Sequence, residues 1–123
     1  MKKGRKITGG KYHKLRKKKF YEKDSQERHV VIGETKRKQE RVKGGKIKTF
    51  LLKSNIVNVL VDNKIKKAEI TNVEETPQNR FLARQNRLMK GSIILTSLGK
   101  ARITNRPSRE GMVNAIIIKE ESK

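Results

Sequence analysis

Half of the first twenty residues are basic (Lys2, Lys3, Arg5, Lys6, Lys11, Lys14, Arg16, Lys17, Lys18 and Lys19) and none is acidic. A segment with that much like charge and so little apolar surface cannot collapse on itself. It orders against a polyanion, and for a flexible basic arm the commonest polyanion is nucleic acid. The constraint extends beyond the arm. The chain of 123 residues has a formal net charge of +21, and self-repulsion on that scale opposes folding of the free protein. Residues 1–53 hold 20 basic and 5 acidic side chains, against 13 and 7 in residues 54–123. The N-terminal half therefore carries most of the positive field, while the C-terminal half reads as ordinary globular chain.

Length suits one compact domain plus a tail. Cys is absent, which excludes a disulfide framework and a Cys-type zinc site and fits a reducing compartment. The longest apolar run, Ala115 to Ile118, is far short of the roughly 18 residues that cross a bilayer. The charged N-terminus lacks the apolar stretch of a signal peptide. An intracellular, cytoplasmic protein with no membrane partner is the expectation.

Residues 1–28 read as a disordered basic RNA-binding arm, loosened by Gly4, Gly9 and Gly10, because Gly loses the most backbone freedom on ordering. Residues 29–123 read as a β-barrel-like domain. His29 to Ile32 is a brief β-rich run, and Lys36 to Lys43 is too charged for a buried strand, so an edge strand or a charged ribbon is predicted there. Apolar runs follow at 46–52, 56–61 and 65–73, with Asp62-Asn63 between the last two as a tight turn. Two runs joined so closely read as a hairpin. Thr76-Pro77 then opens a helix, Thr as N-cap and Pro at the first helical position, predicted to run from Gln78 to Met89 and to close at Lys90-Gly91. Further strands are predicted at 92–98, 100–105 and 112–119. The fold class is thus all-β: a small barrel-like domain of short antiparallel strands with one short helix.

Three groups of residues are candidate RNA contacts. In the arm these are the ten cations together with Thr8, Gly9 and Gly10, with Tyr12, Phe20 and Tyr21 interleaved where they can stack on exposed bases. In the central segment they are Arg37, Lys38, Arg41, Lys43, Gly44, Gly45 and Lys46; there the two glycines let backbone approach a phosphate without a Cβ in the way. In the predicted helix, Arg80, Arg84 and Arg87 fall on one face, with Phe81 and Leu88 on a neighbouring face to dock it. Guanidinium groups suit bidentate phosphate recognition. Enzyme signatures are missing. His13 and His29 are lone residues, and the acidic pairs Glu74-Glu75 and Glu120-Glu121 point apart on a strand. The glycines fit no nucleotide-binding pattern, and no carboxylate cluster suits a catalytic metal. From the residues alone, a general nucleic-acid-coating protein stays open as the alternative.

Five segments carry a family resemblance. Arg5-Lys6-Ile7-Thr8-Gly9-Gly10, followed by Arg16-Lys17-Lys18, is similar to the N-terminal signature of a small-subunit ribosomal protein family shared by archaea and eukaryotes, number eight of the "e" series. Arg41 to Lys46 resembles its central Gly-Gly segment. Asn79 to Asn86 with Lys90-Gly91 resembles its Asn/Arg-rich stretch, and Leu98 to Pro107 and Gly111 to Ala115 its C-terminal portion. The order is preserved over nearly the whole chain. Departures are Glu22-Lys23-Asp24, where the family continues with an acid, a large apolar residue and Gly, and Ser108-Arg109-Glu110 in place of a turn richer in Gly and Asp. The short length looks archaeal. The resemblance implies a barrel with a basic extension, bound to small-subunit rRNA beside other ribosomal proteins and monomeric within the ribosome. It also implies no catalysis, cofactor, metal or small-molecule substrate.

Overall fold

The computed structural model describes residues 4–13, 15–24 and 27–118. Seven strands and one short helix follow one another: β1 (Lys36–Arg41), β2 (Ile47–Lys53), β3 (Ile56–Val61), β4 (Lys64–Glu75), α1 (Arg80–Arg84), β5 (Ile93–Thr96), β6 (Gly99–Ile103) and β7 (Asn114–Ile117). A 3₁₀ turn at Phe20–Glu22 precedes them. β1 and β2 form a two-stranded ribbon, and β3 to β7 close into a barrel.

Alternation builds the barrel. Val57 and Val59 on β3, Ala68 and Ile70 on β4, Ile94 on β5, Ala101 and Ile103 on β6 and Ala115 on β7 all point inward and are buried. On β4 the buried set then moves from even to odd numbers, to Val73. An irregularity between Ile70 and Asn72 causes the shift, since one extra residue flips every later side chain to the other face. The same irregularity lets this 12-residue strand bend, so that its first half pairs with β3 and its second with β5. Asp62 and Asn63 both adopt positive φ, 44° and 63°, the turn geometry whose twist matches the two strands it joins. Four neighbouring pairs are antiparallel, and a ring of five strands then forces the fifth, β3 with β7, to be parallel. The expectation of a small barrel holds, with that one parallel pair added.

The ribbon docks on the barrel through β2. The Leu51 N–H donates to the carbonyls of Pro107 and Glu110, both at 3.2 Å, and Leu51 is buried. A Cβ on Gly111 would lie 3.1 Å from the Thr49 methyl carbon, so loop and strand meet closely and a larger residue there would push the Thr49 side chain aside.

Two elements differ from the sequence expectation. Residues 29–32 are not a strand. Val31 instead bridges the end of β2 on one side and Arg87 on the other, which buries Val30. The helix spans only Arg80–Arg84, shorter than the predicted Gln78 to Met89. Asn79, and not Thr76, is its N-cap: the Asn79 Oδ1 accepts from the Phe81 N–H at 2.9 Å. Thr76 is buried at the end of β4, its hydroxyl 3.4 Å from that of Ser92. Asn86, at φ 52°, stops the helix. The N–H of Asn86 bonds the Ala83 carbonyl and that of Arg87 the Leu82 carbonyl, the paired closure of a left-handed C-terminal residue.

Candidate nucleic-acid interface

The early helix stop breaks up the predicted arginine face. Arg80 and Arg84 lie on α1, but Arg87 lies past the left-handed turn, in contact with residues 29–31. Its guanidinium sits 2.8 Å from the His29 Nδ1. Arginine can only donate, so this ring nitrogen accepts. Of the two expected docking residues, Leu88 is buried and Phe81 is 60% exposed, and Ala83 is buried in its place. What remains is a shallow polar concavity between β4 and α1 in which Arg80 and Arg84 share a wall with Asn72, Asn86 and the acidic Glu74.

The ribbon sorts its cations by face. Arg37 points to the barrel and its Nε–H donates to the Gly111 carbonyl at 2.7 Å, so this residue latches the ribbon down. Lys38 lies on the opposite face, 3.1 Å from the Glu40 carboxylate. Arg28 reaches the other Glu40 oxygen at 2.8 Å, and its guanidinium covers the Phe50 ring at 3.7 Å from the centroid. That stacking covers Phe50, while the barrel covers Leu51, so both faces of β2 are buried on a two-stranded ribbon. The hydrogen bond from Lys38, and after it the Arg28 charge, hold the Glu40 carboxyl below the ordinary glutamate range. At the tip, Val42 to Lys46 turn the chain with Gly44 and Gly45 at φ 82° and 75°. A Cβ on Gly44 would meet nothing within 4 Å, so backbone conformation demands this glycine. Arg41, Lys43 and Lys46 are exposed there and form no ion pair among the described residues. Lys48 stands exposed beside them on β2.

In the N-terminal segment, Thr8, Gly9 and Gly10 belong to a tight loop. Arg5 and Lys11 bridge across it, Gly9 sits at φ 79°, and the Arg5 guanidinium donates to the Gly9 carbonyl at 3.0 Å. Lys6 lies 5.8 Å from the centre of the Tyr12 ring. Arg16 forms a two-pronged hydrogen bond with Glu22, so its charge is already matched within the chain. That bond, then one from the Lys19 N–H, lowers the Glu22 carboxyl, and the Arg16 guanidinium is raised in turn. Lys18 lies 3.9 Å from Asp24. Lys17 and Lys19 are exposed, the latter 5.9 Å from the Tyr21 ring centre. Lys2, Lys3 and Lys14 lie outside the described residues.

These cations occupy three places: the N-terminal loop, the ribbon tip and the β4–α1 concavity. Among the described residues no three His, Asp or Glu side chains gather as metal ligands. The comparisons with known proteins agree with the pattern of motifs. A profile of the family described as Ribosomal protein S8e matches residues 1–118. The chain is 44% identical to the small ribosomal subunit protein eS8 of Methanococcus aeolicus, covering 94% of this chain and 93% of that one. It is 43% identical to that of Sulfurisphaera tokodaii, with the same coverage, and 40% identical to that of Methanocorpusculum labreanum, over 93% of each. With a matched profile over nearly its full length and archaeal relatives aligned end to end, this chain belongs to the ribosomal protein S8e family.

Proposed function

We propose that this protein is a structural constituent of the small ribosomal subunit, working in the cytoplasm, that binds rRNA and has no catalytic role. Residues 1–28 act as a basic extension and residues 29–123 as the docking domain. The observation that carries this reading is the set of exposed cations with no carboxylate partner among the described residues, Lys11 and Lys17 in the extension and Arg41, Lys43 and Lys46 at the ribbon tip. Side chains of this kind exchange condensed counterions for protein charge when they meet phosphate. Arg80 and Arg84, with Asn72 and Asn86 beside them, offer donors and acceptors suited to unpaired nucleotides. Arg37 also supports the ribbon through its Nε–H, while the residue stays exposed.

The test is a salt series with two polymers, small-subunit rRNA and a random DNA duplex of equal length. If about eight phosphates are neutralised, the log–log slope on duplex is near −7 by counterion release. A preference for rRNA that persists at high salt is the expected outcome, since shape recognition is less screened than charge. Equal curves would make the protein a general coating factor instead.

A further inference from the structure

The outer wall of the barrel carries an apolar row that neither the core nor a polyanion uses. Leu60 on β3 stands in register with Ile65 on β4 and with Ile116 on β7, so three aliphatic side chains emerge together from one face of adjacent strands. Ile118 extends the row two residues further on, its N–H bonded to the Lys100 carbonyl at 2.9 Å. All four are more than a third exposed, Ile65 at 73%. Their strand neighbours Val59 and Ala115 are buried, so alternation assigns the four to the outside. The patch lies around the Asp62-Asn63 turn, at the opposite end of β3 from Ser54, which bonds the Val31 carbonyl beside the ribbon. Its border carries two cations: Arg102 is in register with Ile116, and Lys67 follows Ile65 on the same face; Lys100, which faces Ile118, is 3.1 Å from the Glu74 carboxylate.

We propose that this patch docks a neighbouring protein through a segment of branched aliphatic residues flanked by carboxylates. Aliphatic surface is stabilised by burial against aliphatic surface, and phosphate and ribose do not supply it. Exposed bases stack on aromatic rings or guanidinium planes, and none of the four residues is aromatic. A second copy of this chain would bring another +21 and set one basic border against another. Carboxylates facing Lys67 and Arg102 satisfy the border, which a nucleic acid or a second copy cannot do while also covering the apolar row.

The inference rests on the reading of the chain as a small-subunit component, and the experiment separates the two. A photoreactive benzophenone amino acid is placed at position 65 or 116, and in a control at position 12, and assembled small subunits are irradiated. Positions 65 and 116 should crosslink to a peptide of another protein that carries aliphatic and acidic residues, and position 12 to RNA. Crosslinking of 65 and 116 to RNA, to a second copy of this chain or to a peptide without carboxylates would overturn the inference, as would no product while position 12 reacts. A Leu60→Gln/Ile116→Gln chain provides a second measurement in competition with the parent. Incorporation into subunits should fall about five-fold or more, with affinity for isolated rRNA within about two-fold of the parent. Equal incorporation would overturn the proposal. Absence of the unsubstituted chain from purified subunits would instead remove the underlying reading.

Discussion

The barrel and the ribbon are both β-structure, yet different forces define them. In the barrel, apolar alternation assigns each side chain a face, and ring closure leaves no free edge. In the ribbon the side chains of β1 are Lys, Arg, Gln and Glu, and alternation alone has nothing to bury there. Its position comes from Leu51 on the barrel side, the Arg37 latch and the Arg28 guanidinium over Phe50. One region is therefore held by core volume, and the other by a few polar and cation–ring contacts. The comparison shows how a chain of net charge +21 remains foldable: the barrel strands carry little net charge, the lysines of β4 being matched by its glutamates, while the excess cations lie at the periphery.

The largest expected effect lies in the barrel. Ile94 is fully buried, and Ile94→Ala should destabilise the protein by about 3 kcal/mol through lost transfer energy and the cavity left behind. Urea unfolding followed by circular dichroism measures this, and a loss below about 1 kcal/mol would mean that the core is not what holds the barrel. A smaller and local effect is expected at the ribbon tip. Gly44→Val places a branched side chain at φ 82°, a strain of about 2 kcal/mol. Amide exchange should quicken over Val42 to Lys46 while Val59 keeps its protection. Acceleration at both sites would join ribbon and barrel into one cooperative unit. The smallest effect concerns the cation cluster. The Glu40 carboxyl is lowered, chiefly by its hydrogen bond from Lys38, so its contribution is present above the unfolded-state pKa and is lost as pH falls through the folded one. An NMR titration should place its midpoint below the ordinary glutamate value, with the Phe50 ring resonances moving at the same pH. A midpoint at or above that value would break the link between Glu40 and the Arg28 contact.

Much of the barrel was legible because its signals are local. The boundaries of β3 and the Asp62-Asn63 turn follow from alternation and from two residue types that tolerate positive φ. The errors occurred where a distant partner decides. The helix ended early because Asn86 takes a left-handed conformation that residue spacing does not reveal, and Leu88 then turns into the core. The run at 29–32 has strand composition, yet it pairs with β2 and with Arg87 only through the single bridges of Val31. Of the candidate site, the positive charges were legible as such, but their engagement was not. Arg28 meets Glu40 across 12 residues, Arg37 meets Gly111 across 74, and Arg87 meets His29 across 58. Such pairings follow from register and docking, which no local pattern encodes.

If the charge that binds and the core that folds are separable, each responds to substitution without the other. Substituting Lys11, Lys17, Lys43 and Lys46 together by Gln removes four exposed cations while leaving every barrel residue in place. Unfolding free energy should stay within about 0.5 kcal/mol of the parent, as for ordinary surface changes. The salt slope of rRNA binding should shrink by about 3, the counterion release of four phosphate contacts. An unchanged slope would mean that these lysines do not meet RNA, and a large loss of stability would mean that charge and fold are not separable in this protein.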